Sequence, residues 1–306
     1  MLQSGHVSLM KTLWLVPLML GCAIASFGQS QVLDTSHLGS PSGSTFSAHL
    51  TYCLSILPAG GGVCDGSYEP AQSSFPSITI SNPNVVVILP PVTLMLANGA
   101  LFTFGSSASN SGIICQQKWS CVLDASTNNS AGTILVAGGT GNFVDGIKMI
   151  GGRLNKQTGT EVVMTGTNHR FTNNWSVNAG RTAVALTNCN NCVVHYNIID
   201  QSGAAAILAN TNANGSTSNY NDIGFNLTRD ANVNVSSSGG TANTQGTIGA
   251  SCSAPACMSS PPSAHLADYN NIHDNVILNQ VQDWETATIR ISERLRLPAA
   301  AVPARL

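Results

Sequence analysis

The chain of 306 residues carries only 12 Lys+Arg and 14 Asp+Glu, so its few charged side chains are the first place to look for chemistry. One set stands where short apolar strands begin: Glu161, Arg181, Asp200 and Asp230. Carboxylates in such a row could act as general acids or hold a hard cation. A guanidinium could grip a ligand carboxylate or take up a proton. If Val162/Met164 and Val184/Leu186 point inward, two-residue alternation turns Glu161 and Arg181 outward, one repeat apart and within ion-pair reach. As a bare exposed ion pair it would contribute under about 1 kcal/mol. A second set forms columns when repeated segments are aligned: Lys148, Arg170, Asp222 and Asn271 in one, His195 and His273 in another. Stacked rungs lie about 4.8 Å apart. Lys148 and Arg170 would then be like-charged neighbours on an anion-facing strip, with Lys148, Arg170, His195 and Asp222 as substrate-binding residues. His169 aligns with Ile147 and Cys192 and reads as half-buried.

Nine cysteines add a further constraint. Eight fall into near-neighbour pairs: Cys53/Cys64, Cys115/Cys121, Cys189/Cys192 and Cys252/Cys257. An even number in an exported chain reads as disulfides. Local pairing is one solution; a metal knuckle built from Cys189, Cys192, Cys252 and Cys257 is the other. Sequence does not decide the connectivity, and no metal set is otherwise picked out.

Export itself is legible. Lys11 precedes an apolar run, Leu13 to Ala25, and small residues at Ala25 and Gly28, the layout of a cleavable signal. The run is too short to span a bilayer. Met10 is an alternative start, and Leu20-Gly21-Cys22 an alternative, lipoprotein-type ending. The expectation is a secreted or periplasmic protein. Charged residues are only 8% and the net charge is −2, so no basic stripe for nucleic acid is present. Asn and Gly number 29 each, and such residues disfavour long helices. The surface is built from amides and hydroxyls, which suits a neutral polymer partner and a monomer.

The elements that must carry these residues repeat. Five segments superimpose: Ile147–Gly152, His169–Asn174, Cys192–Asn197, Asn221–Asn226 and Asn270–Asn275, their last residues 22, 23, 29 and 49 apart. Met149, Phe171, Val194, Ile223 and Ile272 form an apolar column. Gly152, Asn174, Asn197, Asn226 and Asn275 form another, suited to left-handed turns and to stacked amide ladders. The last interval is either two turns or one turn with an excursion. A second strand per repeat runs through Glu161–Met164, Ala183–Leu186 and Ala205–Leu208. Coils of about 22–25 residues with short strands predict an all-β parallel β-helix.

Thr45 to Leu57 places Phe46, Leu50, Leu54 and Leu57 on one helical stripe, followed by Leu57-Pro-Ala-Gly-Gly-Gly-Val63. With the repeats, these features resemble the right-handed parallel β-helix proteins of the pectin-lyase-like superfamily. The resemblance covers about residues 45 to 280. It implies a small helix closing the N-terminal end, a glycine turn feeding the first strand, and a Cys53–Cys64 bridge tying cap to coil. We expect seven to nine coils, with Met149, Phe171, Val194, Ile223, Val162, Met164, Val184, Leu186 and Ile207 inside. The expected organisation is a signal over 1–28, a linker over 29–44, the β-helix over 45–282 and an atypical tail over 283–306. That tail holds seven charged residues and reads as a cap or as the product of a truncated or frameshifted gene.

For activity, the resemblance implies a polysaccharide lyase or glycoside hydrolase, with a noncatalytic adhesion or carbohydrate-binding solenoid as the alternative. No Asp-Asp pair and no Gly-His-Gly of the polygalacturonase type is present. Arg290-Ile291 starts an Arg-Ile-Lys-like motif, but Ser292 stands in place of the Lys. The expectation is therefore lyase-like before hydrolase-like, with no certain cofactor and Ca²⁺ if a lyase. P-loop, HExxH and GxSxG motifs are absent.

Overall fold

The computed structural model describes residues 31–39, 43–128, 132–136, 138–155, 159–211, 217–231, 247–252, 269–278 and 289–291. The signal segment, Cys22, Cys257 and most of the 283–306 tail lie outside them. The described residues form an all-β parallel solenoid of three sheets with nine, eight and eight strands. Each coil gives one short strand to each sheet, and all paired strands run parallel. Strand Gln31–Asp34 pairs with Gly62–Asp65, so the solenoid starts inside the segment expected to be a linker. At the other end, Ile289–Ile291 pairs with Ile248–Ala250 in the third sheet.

One helix, Phe46–Ile56, closes the N-terminal end. Thr45 caps it, accepting from the Ala48 N–H. Phe46, Leu50 and Cys53 are buried one turn apart, Leu57 seals the exit, and Leu54 is only partly buried. The Phe46, Phe75 and Phe102 rings continue the stack inward, with centroids 5.6 and 5.3 Å apart. Among the described residues three disulfides form: Cys53–Cys64, Cys115–Cys121 and Cys189–Cys192. The first ties cap to coil; with Cys189 and Cys192 joined to each other, they are not zinc ligands.

All nine expected interior residues are buried. One register differs from expectation. Lys148–Ile150 lies in the second sheet, where Met149 stacks between Leu123 and Ser176. The rung partner of Phe171 is instead Val144, 27 residues earlier. A three-residue strand has one inward residue whichever sheet it joins, so an apolar column alone cannot tell neighbouring strands of one coil apart. The 49-residue interval is a single coil. Asp222–Gly224 pairs directly with Asn271–His273, and the excursion supplies the third-sheet strand Ile248–Cys252.

The corners also differ from expectation. The left-handed residues are Asn173, Tyr196, Phe225 and Asp274, one position before the Asn column. The column itself is a buried amide ladder. Asn197 Oδ1 accepts from the Asn174 N–H at 2.9 Å, and Asn226 Oδ1 from the Asn197 N–H at 3.0 Å. A second set of rungs stands at the corner entering the first sheet in two runs, Ser111–Asn142–His169 and Cys192–Asn221–Asn270.

His169 is a rung of that second set. Its Nδ1 accepts from the Asn142 N–H at 3.1 Å, and Nε2–H donates to the Thr165 carbonyl at 2.8 Å. It is fully buried, and burial pushes its imidazole below its ordinary value of 6.5, against the pull of those two bonds. The unfolded chain therefore takes up a proton that the folded chain refuses. Stability should be fully present above about pH 6.5 and fall as the pH drops below it. His169→Asn, the residue at position 142, should keep the ladder and flatten that slope. His169→Leu strands the Asn142 N–H and should cost about 1–3 kcal/mol. Denaturant titrations from pH 5 to 8 check both; an identical slope in His169→Asn would refute the assignment.

Candidate functional site

The outer face of the first sheet changes character over its last three coils. One outward column runs Phe143, Arg170, Val193, Asp222, Asn271; the other runs Asp145, Thr172, His195, Gly224, His273. His195 and His273 are thus two rungs apart, and glycine occupies the rung between. A Cβ at Gly224 would lie 2.5 Å from the His273 ring. The missing side chain lets both imidazoles lean over the gap toward Asp222. His195 Nε2 stands 3.0 Å from Asp222 Oδ2, and His273 Nε2 2.9 Å from Asp222 Oδ1. Asn271 Nδ2 also donates to Oδ1, at 2.9 Å. His273 Nδ1 faces Asp274 Oδ2 at 2.9 Å. The Asp274 carboxylate, then Asp222, holds the His273 imidazole above its ordinary value.

Aromatic rings bracket this cluster. Tyr196 and Phe225 stack at 5.2 Å and 12° beyond the ends of their strands. Tyr220 and Tyr269 stack at 5.2 Å and 7° at the entry corner. The edges of His195 and His273 meet the Phe225 ring at 5.8 and 5.1 Å. All four aromatic residues adopt left-handed φ between 57° and 58°. Elsewhere these corners carry Asn110, Gly141, Asn168 and Asn191 at one and Gly146, Asn173 and Asp274 at the other, while Trp119 is left-handed in the longer Cys115–Cys121 corner. A left-handed backbone costs a bulky residue roughly 1–2 kcal/mol. The rings are nevertheless 44–66% exposed and so recover little of that by burial.

The expected site residues divide. His195 and Asp222 come together, and Arg170 shares their face, two rungs from Asp222, with its guanidinium 5.5 Å from the Phe143 ring centroid. Lys148 does not stand beside Arg170. It lies on the second sheet, 4.1 Å over the Trp175 ring. Glu161 is not outward but fully buried. It precedes the strand Val162–Thr167, so alternation within the strand does not govern it, and its carboxylate packs against Gly151. The register Val162↔Val184 sets Glu161 opposite Ala183, not Arg181. Arg181 is exposed at the approach to its strand. Asp200 accepts a two-pronged contact from Arg229, at 2.5 and 2.6 Å, and a 2.8 Å bond from Trp175 Nε1. Asp230 sits in a left-handed turn. A buried carboxylate, an exposed guanidinium on a different register and an aspartate occupied by Arg229 do not make one acid–base row.

The aromatic residues were missed, although the sequence carries a signal: Tyr196-Asn197, Tyr220-Asn221, Phe225-Asn226 and Tyr269-Asn270 repeat one dipeptide at two corners. A groove of about 350 Å³ between the helix and the third sheet, lined by Thr51, Leu54, Ser77 and Asn82, lies at the opposite end and has no titratable lining residue. Among the described residues no helix is long and apolar enough to cross a membrane.

The fold and this face define the class as a parallel β-solenoid with a polar, aromatic-edged surface. No protein-family profile, curated protein or solved structure matches the chain.

Proposed function

We propose that the chain is an exported, polysaccharide-active β-helix protein of the pectin-lyase-like type, which holds its polymer across the outer face of the first sheet at the last three coils. The observation that carries this reading is the pair of exposed aromatic stacks on either side of His195, Asp222 and His273. Strained, exposed aromatic side chains are kept where a ligand rewards them. Sugar rings offer flat C–H faces to such stacks and hydroxyls to Asp222, Asn271 and the imidazoles. Arg170 is placed to meet a uronate carboxylate. The two imidazoles, steered by Asp222, are groups able to accept and return a proton, as β-elimination beside a carboxylate requires. Elimination on a uronate polymer therefore stays ahead of hydrolysis. The same stacks would also serve a binding solenoid without turnover.

The test is a polymer panel, polygalacturonate included, followed by absorbance of unsaturated uronate and by new reducing ends, with binding measured on immobilised polymer. Product from a uronate polymer that disappears in His195→Ala supports elimination. Binding without product supports the noncatalytic reading. Neither binding nor product on any polymer would overturn the proposal. Asp200→Asn should leave product formation unchanged, because its carboxylate is engaged by Arg229 and Trp175.

A further inference from the structure

The geometry points to a transition-metal site at His195, Asp222 and His273, one that takes a borderline dication such as Zn²⁺ through two imidazole nitrogens and one carboxylate. Ligand atoms of the three residues all lie within 4.8 Å of one another. Two hydrogen-bond facts favour a cation. First, the His195 Nε2 atom is buried beside Asp222 Oδ2 yet makes no aligned hydrogen bond. Second, His273 faces a carboxylate oxygen at each ring nitrogen, Asp274 at Nδ1 and Asp222 at Nε2, both at 2.9 Å. An imidazolium has two N–H groups and satisfies both; a neutral imidazole, the form that ligates a metal, satisfies one. In that neutral form Nδ1–H is donated to Asp274 and the Nε2 lone pair is aimed at Asp222, where a metal takes the place of the second proton. A carboxylate behind a ligating histidine is also the usual outer support of such sites.

Two nitrogens and one carboxylate, partly exposed, leave positions open for water or a substrate oxygen. Ca²⁺ prefers a shell of oxygens and is a poor match. The convergence depends on Gly224, which separates the histidines by two rungs while leaving the space that His273 occupies. This inference stands whether or not the face binds a glycan; with the ion bound, both Nε2 atoms are ligands and are not free to carry the proton of the proposed elimination.

The experiment uses the purified full-length chain with disulfides intact. Zn²⁺ alone is titrated by calorimetry, Co²⁺ by its visible absorbance, and Ca²⁺ in parallel. One Zn²⁺ per chain with micromolar or tighter affinity is expected. His195→Ala and His273→Ala should weaken it by about 100-fold or more, while His37→Ala, at the other end of the solenoid, should not. Gly224→Ala keeps every ligand and has no left-handed backbone to strain, but its methyl displaces the His273 ring. About a 10-fold loss is expected there. Circular dichroism confirms that each variant is folded. No Zn²⁺ uptake by the unaltered chain, unchanged affinity in the histidine variants or in Gly224→Ala, or Ca²⁺ bound as tightly as Zn²⁺ would each overturn the assignment. Polymer binding persisting without any metal uptake would leave the glycan reading standing alone.

Discussion

Asn197→Ala is expected to cost about 2–4 kcal/mol of folding stability, a large share of a typical domain's total. Asn197 lies in the middle of the buried ladder. Its Oδ1 accepts from the Asn174 N–H; its Nδ2 donates to the Phe171 carbonyl at 3.0 Å and to Asn226 Oδ1 at 2.9 Å. Alanine leaves the Asn174 N–H buried with no acceptor and removes two further bonds in a low-dielectric interior, where each counts for more. Asp is nearly the same shape but brings a buried charge, so it should be no milder. Asn173, the residue before Asn174 in the preceding coil, is the control. Its left-handed φ of 58° can be met by Gly, so Asn173→Gly should change stability far less than Asn197→Ala. Chemical denaturation at neutral pH reads both. A loss below about 1 kcal/mol in Asn197→Ala would mean that sheet hydrogen bonds and core packing hold the corners without the ladder.

The double variant Tyr196→Asn/Phe225→Asn should lose polymer binding by about 10-fold or more while keeping or raising stability. Each ring stacked on a ligand contributes on the order of 1 kcal/mol, and the pair acts together. Asparagine already occupies this corner at position 173 and relieves the strain of a bulky residue at positive φ. A purely structural role predicts the reverse, a less stable protein with unchanged binding. Retention of polymer on an affinity gel and the thermal midpoint, measured on the same preparation, separate the two. Unchanged binding in the double variant would remove the aromatic face from the functional reading even if the solenoid does act on a polymer.

Sequence carried the solenoid because its interior is a local matter. Third-sheet strands show their inward residues in a run of a few positions, as in Val162/Met164 and Val184/Leu186, and both pairs are buried. The capping helix was legible for the same reason: Phe46, Leu50 and Leu57 are spaced by the helical period. The cysteine connectivity was left open, with near-neighbour pairing as one solution; three of the four near-neighbour pairs lie among the described residues and are bonded that way. What failed was register between coils. Coil lengths of 27, 23 and 29 residues, counted from Val144 through Phe171 and Val194 to Ile223, absorb turns of different size. One three-residue strand looks like another, so Lys148 was set beside Arg170 and Glu161 beside Arg181. The site depends on register more than on anything else. The aligned repeats had already put His195 and His273 in one column, and the backbone pairing bears that out across 29 and 49 residues of chain, with Gly224 on the rung between. Residue types announced which groups could do chemistry; the side-chain pattern aligned the coils from Phe171 to Ile272 but not Lys148 or Glu161, and there backbone pairing alone decided which groups meet.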